Sequence, residues 1–257
     1  MLITMISLKG KTAIVTGASR GIGRAIAIEC ARAGMNVVLN YVSASSVAGM
    51  NELQKEISAL GVKSIVVRAD VSKENDCKKI LGAAVAQFGS VYLLANNAGV
   101  YSAMPGTPTW ELDEKEFDKI FSVNVKGLFF MAKHVGKWMI DNKVKGVIVN
   151  TGSIAGLDAS VSGSIYGASK AAVHGFTKTW SVEFAKFGIR VNAVAPGPVL
   201  TDLLENVSED RKRSFVEQTP LGVLAEPKDI ADAVVFLAQS EKINGQSLVV
   251  DGGRIRH

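Results

Sequence analysis

Short apolar runs alternate with longer stretches of helical periodicity along the whole of this chain. The runs lie at Thr12–Thr16, Asn36–Asn40, Ser64–Val67, Val91–Leu94, Gly146–Asn150, Arg190–Val194 and Ser247–Val250. Continuous apolarity over four or five residues suits strands buried on both faces of a parallel sheet. Between the runs, the spacing predicts helices over Ile22–Ala33, Val47–Leu60, Glu74–Phe88, Glu114–Asn142, Gly163–Phe187 and Pro227–Gln239. The alternation predicts an α/β fold: a single doubly wound Rossmann-type domain over 1–257, with a parallel sheet of about seven strands. No repeat, linker or low-complexity segment interrupts the pattern.

Composition narrows the function classes. Apolar residues make up 47% and charged residues 21% of the 257 positions, as in a soluble globular protein. The net charge of +5 is spread along the chain, and Arg211-Lys212-Arg213 and Lys143 to Lys145 are its densest clusters. Scattered charge of this kind argues against a nucleic-acid partner and leaves a mild preference for anionic ligands. No apolar run has the length of a membrane span, and the first eight residues do not read as a signal peptide. Cys30 and Cys77 form neither a C-x-x-C pair nor a disulfide framework, which fits a reducing, cytoplasmic setting.

The first strand runs into Thr16-Gly17-Ala18-Ser19-Arg20-Gly21-Ile22-Gly23. Glycines 17, 21 and 23 allow a tight turn, a close backbone approach to phosphate, and close helix–sheet packing. The helix start then offers N–H groups and positive dipole to a pyrophosphate. The second strand ends in Asn40-Tyr41-Val42-Ser43, without the carboxylate that would hold a free ribose 2′-hydroxyl. Arg20 could instead face a 2′-phosphate, so NADP(H) is expected over NAD(H); the alternative is a solvated loop arginine. Asp70, before Val71, is placed either to accept from an adenine amino group or to cap the following helix. Asn96-Asn97-Ala98-Gly99 suits cofactor contact or a simple turn.

Ser164-Ile165-Tyr166-Gly167-Ala168-Ser169-Lys170 opens the fifth of the predicted helices. Tyr166 and Lys170 are four apart and share a face. A lysine cation there would lower the tyrosine pKa toward working pH. Alone, the pair reads first as ordinary helix surface, since this spacing is common by accident. His134, His174 and His257 are isolated, with no cluster to bind a metal.

Taken together, these motifs resemble the short-chain dehydrogenase/reductase family over roughly residues 9–253, with a 3-oxoacyl-carrier-protein reductase-like character. The residues that carry the resemblance are Thr16 to Gly23, Asp70, Asn96 to Gly99, Asn124, Ser153, Tyr166-x-x-x-Lys170, Pro196-Gly197 and Thr201. It implies that Tyr166 protonates a carbonyl oxygen and that Ser153 positions that oxygen. Lys170 would hold the nicotinamide ribose and depress the Tyr166 pKa, and Asn124 would hold a helix kink and a water in a proton relay. Gly17, Ser19, Arg20, Gly21, Ile22, Gly23, Asn40, Tyr41, Asp70, Val71, Asn97, Ala98, Gly99, Pro196, Gly197, Val199 and Thr201 would contact NADP(H), with Tyr166 and Lys170. The implied reaction is NADPH-dependent reduction of a small-molecule or thioester-linked carbonyl, first of all a 3-oxoacyl thioester. The alternatives are a carbonyl or sugar dehydrogenase of the glucose dehydrogenase-like type, and a non-catalytic nucleotide-sensing scaffold.

The resemblance also implies a homotetramer and a substrate lid around 200–219. Carrier-protein reductases usually present arginines near positions 130 and 182 to an acidic carrier; this chain has Phe130 and Val182. Segment 100–106 departs from both styles and is expected to line the substrate pocket with 154–160 and 200–219.

Overall fold

The computed structural model describes residues 5–102, 106–159, 163–201 and 208–255. Seven strands form one parallel sheet in the order β3-β2-β1-β4-β5-β6-β7. They are β1 (Thr12–Val15), β2 (Asn36–Tyr41), β3 (Ser64–Arg68), β4 (Leu93–Asn96), β5 (Val147–Thr151), β6 (Arg190–Pro196) and β7 (Ser247–Val250). Each expected apolar run contributes to a strand. β1, β4 and β5 are buried along their whole length, as continuous apolarity requires.

Helices cover both faces. On one side α1 (Gly21–Arg32), α2 (Val47–Ala59) and α8 (Pro227–Gln239) pack around Ile26, Leu39, Leu53, Ile57 and Val234. On the other, α3 (Glu74–Phe88), α5 (Leu128–Asp141) and α6 (Ser164–Ala185) bury Ile80, Met131, Val135, Val173 and Trp180 against Ile14, Leu94 and Ile148. α8 starts where Glu226 and Asp229 cap one another's backbone N–H groups, with Pro227 in the first turn.

Two features differ from the sequence pattern. The helix expected over 114–142 is broken into α4 (Glu114–Phe121), a π-helical turn (Ser122–Gly127) and α5. The extra residue in such a turn is invisible to hydrophobic periodicity, which runs on through it. A further helix, α7 (Glu209–Glu217), lies in the expected lid. It buries no residue, so no apolar stripe announced it. Residues 202–207 of that lid, and 103–105 and 160 of the expected pocket lining, lie outside the described residues.

The sheet order reverses between β1 and β4. At such a switch point the carboxyl ends of the strands leave a crevice, and the loops that follow them face it.

Candidate functional site

The glycine turn after β1 is held from two sides. Thr16 Oγ1 accepts the N–H groups of Asn97 and Ala98, each at 2.9 Å, and Asn97 Nδ2 donates to Thr16 O at 3.0 Å. From β2, Asn40 Oδ1 accepts Gly17 N–H at 3.3 Å, while Asn40 Nδ2 donates to Ala69 O at 2.9 Å. Asn40 is buried, and its amide ties the turn to the end of β3. Gly17 has φ +66°, and a Cβ on it would stand 3.0 Å from Ala98 Cα. A Cβ on Gly23 would lie 2.1 Å from Gly17 O, so helix and turn meet only because both positions lack side chains.

α1 begins without a side-chain cap and without an acidic residue in its first turn, and Arg20 occupies the N-cap position with an exposed side chain. Ser19 and Ile22 flank it, both partly buried. The uncapped helix start and the side-chain-free cradle fit a dinucleotide pyrophosphate. Thr201 comes up to the same place: a Cβ on Gly21 would be 3.3 Å from Thr201 Cγ2. Pro196 ends β6, Gly197 packs on Asp251, and Val199 pairs with Ala225. Tyr41 is buried at the end of β2. Asp70 Oδ1 accepts both the N–H and the hydroxyl of Ser72, at 3.0 and 2.7 Å, so it forms a local turn; the residue at the N-cap of α3 is Lys73. Val71 is buried under Gly127 of the π turn.

The second half of the site is built on α6 and the π turn. Ser153 lies beside Tyr166, close enough that its hydroxyl lowers the Tyr166 pKa. Ser153 Oγ accepts Ala155 N–H at 3.1 Å, which fixes the hydroxyl at the head of the turn Ile154–Gly156. Lys170 is buried one helical turn beyond Tyr166, with Nζ 2.8 Å from Thr151 O and 5.8 Å from the Tyr166 ring centroid. Asn124 lies in the π turn. Its Oδ1 accepts Val100 N–H at 2.7 Å, and its Nδ2 donates to Val100 O at 2.9 Å and to Ser169 Oγ at 3.1 Å. Ser169 Oγ in turn donates to Tyr166 O at 2.7 Å. Gly99 fits beside these groups: a Cβ there would be 3.3 Å from Asn124 Oδ1 and 3.6 Å from Lys170 Nζ.

The electrostatics of the Tyr–Lys pair run against the sequence expectation. Tyr166 is pushed up to about 12, chiefly by burial; the Ser153 hydroxyl lowers it and Tyr101 raises it. Lys170 does not supply the expected depression. Its own pKa is pulled down to about 8 by burial, and its ammonium points at the Thr151 carbonyl.

Two further contacts were not anticipated. His174, expected to be an isolated helix residue, lies one turn beyond Lys170 and is buried. Its Nε2 is 3.0 Å from Ser153 O and its Nδ1 2.8 Å from Ser247 Oγ, so it ties Ser153 to β7. The four-residue spacing of Tyr166, Lys170 and His174 was the available signal. His134 is also not isolated: it meets Glu74 at 2.9 Å, on the surface between α3 and α5. His257 lies outside the described residues. The second contact is Tyr101, whose ring meets Tyr166 edge-on at 4.9 Å. Among the described residues no group of His, Cys, Asp and Glu could hold a metal ion, and no helix is long and apolar enough to cross a membrane.

A cradle for a dinucleotide at the switch point of a parallel sheet, beside a Tyr–Lys–Ser cluster, defines an oxidoreductase class, and the comparisons agree. Residues 17–254 match the family model described as enoyl-(acyl carrier protein) reductase. A 3-oxoacyl-[acyl-carrier-protein] reductase, FabG, of Staphylococcus epidermidis is 40% identical over 245 residues, which is 95% of this chain and 98% of the relative. A short-chain type dehydrogenase/reductase from Mycobacterium marinum superposes with a TM-score of 0.90 at 31% identity, covering 96% of each chain. A 7α-hydroxysteroid dehydrogenase, solved with NADH and 7-oxo glycochenodeoxycholic acid, gives a TM-score of 0.88 at 32% identity, over 97% of this chain and 96% of its own. The chain belongs to the short-chain dehydrogenase/reductase family. It is accordingly an oxidoreductase that works between a carbonyl and an alcohol with a nicotinamide cofactor.

Proposed function

We propose that the protein reduces a 3-oxoacyl thioester to the 3-hydroxyacyl thioester with NADPH. The observation that carries this reading is the placing of Tyr166 beside Ser153, with Lys170 buried one turn beyond and held on the Thr151 carbonyl. The similarity to the carrier-protein reductase supports the substrate class. Exposed Arg20 at the head of α1, and a β2 end without a carboxylate, support NADPH.

The bound nicotinamide supplies the hydride; the chain supplies orientation and the proton. Tyr166 stays protonated across the neutral range because burial raises its pKa, so it acts as the acid toward the carbonyl oxygen. Ser153 Oγ takes one hydrogen bond from Ala155 and retains its own proton for the same oxygen. Lys170 brings a positive charge under Tyr166 and a donor toward the ribose. Asn124 holds Val100 and, through Ser169, the start of α6. The glycine turn, Ser19, Arg20 and Ile22 hold the pyrophosphate side, Asn97 to Gly99 the middle, and Pro196, Gly197, Val199 and Thr201 the nicotinamide side. Asp70 and Val71 flank the adenine.

Residues 200–219 act as the lid of this one NADP-binding domain, with α7 as its described helix. The aromatic face of Phe129, Phe176 and Trp180, with Phe129 exposed, supports a homotetramer. No nucleic acid or membrane partner is proposed, and the setting is cytoplasmic. Phe130 and the exposed Val182 stand where a carrier-docking arginine is usual, which supports a second reading: a free small carbonyl compound as substrate. A panel of acetoacetyl thioesters, on carrier protein and on a short thiol, against diketones and aldoses tests the choice. Faster reduction of the thioesters supports the first reading; preference for a free diketone or aldose overturns it.

A further inference from the structure

Segment 100–102 is pinned on both sides of Tyr101. Before it, Val100 exchanges two hydrogen bonds with the buried amide of Asn124, at 2.7 and 2.9 Å. After it, Ser102 Oγ donates to Glu116 Oε1 at 2.7 Å. Glu116 is itself buried and fixed, since its N–H is capped by Asp113 Oδ1 at 2.8 Å at the start of α4. Its other oxygen lies 4.0 Å from Lys119 Nζ. Two anchors on neighbouring residues leave the Tyr101 backbone little freedom. Its ring is thereby held against Tyr166, with centroids 4.9 Å apart and planes inclined by 61°. Rings in edge contact leave no space between them for ligand atoms.

A carbonyl that takes a proton from Tyr166 carries two substituents on its carbon. Whatever lies on the Tyr101 side must end at that ring. We propose that Tyr101 is the specificity-determining residue of this site: it limits the carbonyl substituent on its side to a small group such as methyl, and the Asn124–Val100 and Glu116–Ser102 anchors keep the limit rigid. This rests on the carbonyl-reductase reading above and adds which carbonyls the site takes. A short 3-oxobutanoyl group fits it, and a branched or long 3-oxoacyl group does not. One methylene in a fixed pocket discriminates by roughly 10- to 200-fold.

The test compares kcat/KM for two short-thiol thioesters, 3-oxobutanoyl and a branched 4,4-dimethyl-3-oxopentanoyl, in the unmodified protein and in Tyr101→Phe, Tyr101→Val and Tyr101→Ala. The ratio of the two values does not depend on how much of a variant preparation is folded. The expected result is a ratio of at least about tenfold in favour of 3-oxobutanoyl in the unmodified protein. Phe retains it, and Val and Ala lower it by roughly tenfold or more, with the change concentrated in KM of the branched substrate. An unchanged ratio in both Val and Ala variants overturns the role of Tyr101 while leaving carbonyl reduction intact. No turnover of any carbonyl by the unmodified protein overturns the underlying reading and this inference together.

Discussion

Lys170 Nζ donates to the main-chain carbonyl of Thr151 at 2.8 Å, at the carboxyl end of β5. The helix that carries the lysine is thus anchored to the strand end that leads to Ser153. The lysine is buried, and its charge costs folding free energy.

That cost is measurable through pH. The Lys170 pKa falls from 10.5 to about 8 on folding. Below pH 8 both states carry the proton, and the penalty for burying the charge is present in full. Between pH 8 and 10.5 the unfolded chain holds a proton that the folded chain has released, so stability rises with pH. Denaturation of the native protein and of Lys170→Met, at pH 7 and pH 10, isolates the effect. The native protein should gain on the variant by up to about 3 kcal/mol over that interval. A constant difference would mean that the lysine titrates alike in both states.

His174 gives a prediction of a different kind. It holds Ser153 O and Ser247 Oγ, so it acts on the reaction only by positioning the Ser153 hydroxyl. His174→Phe should lower kcat by up to about 100-fold, the scale of a misplaced reacting group, with KM for the nicotinamide cofactor little changed. His174→Gln, which retains polar atoms in the ring's place, should recover part of kcat. Equal loss in Phe and Gln variants, or a loss only in melting temperature, would reduce the histidine to a packing role.

Arg20 separates the two nicotinamide dinucleotides. A charge-assisted contact to a 2′-phosphate is worth about 1.5–3 kcal/mol. Arg20→Ala should therefore weaken NADPH binding by roughly tenfold or more and leave NADH binding nearly unchanged, read by fluorescence titration of each. Equal weakening of both would place the guanidinium on the shared pyrophosphate.

The parts of this molecule that were legible in the chain are those set by repetition or by spacing. Continuous apolar runs such as Ile148–Val149 mark buried strands because both faces of a parallel strand meet helices. The glycines at 17, 21 and 23 are legible because Gly17 and Gly21 take positive φ and a Cβ on Gly23 would stand 2.1 Å from Gly17 O. The π turn at Ser122–Gly127 is not, since one inserted residue leaves the apolar pattern on either side intact. The direction of the Tyr166 pKa was also not legible. Spacing brings Lys170 to the right face, but where Nζ points depends on the Thr151 carbonyl, and burial depends on residues such as Tyr101. His174 was visible as a third residue on that face, but its targets, the Ser153 carbonyl two residues beyond the end of β5 and the Ser247 hydroxyl on β7, are brought to it only by the fold.

The central claim is that Tyr166 delivers the proton to a carbonyl while the nicotinamide is oxidised. It is tested most directly by mixing the protein with NADPH and a 3-oxobutanoyl thioester and following nicotinamide absorbance, beside Tyr166→Phe under the same conditions. The account predicts oxidation by the native protein and a loss of roughly 10²- to 10⁴-fold in the variant, with NADPH affinity preserved. Turnover in Tyr166→Phe within a few-fold of the native rate would contradict it.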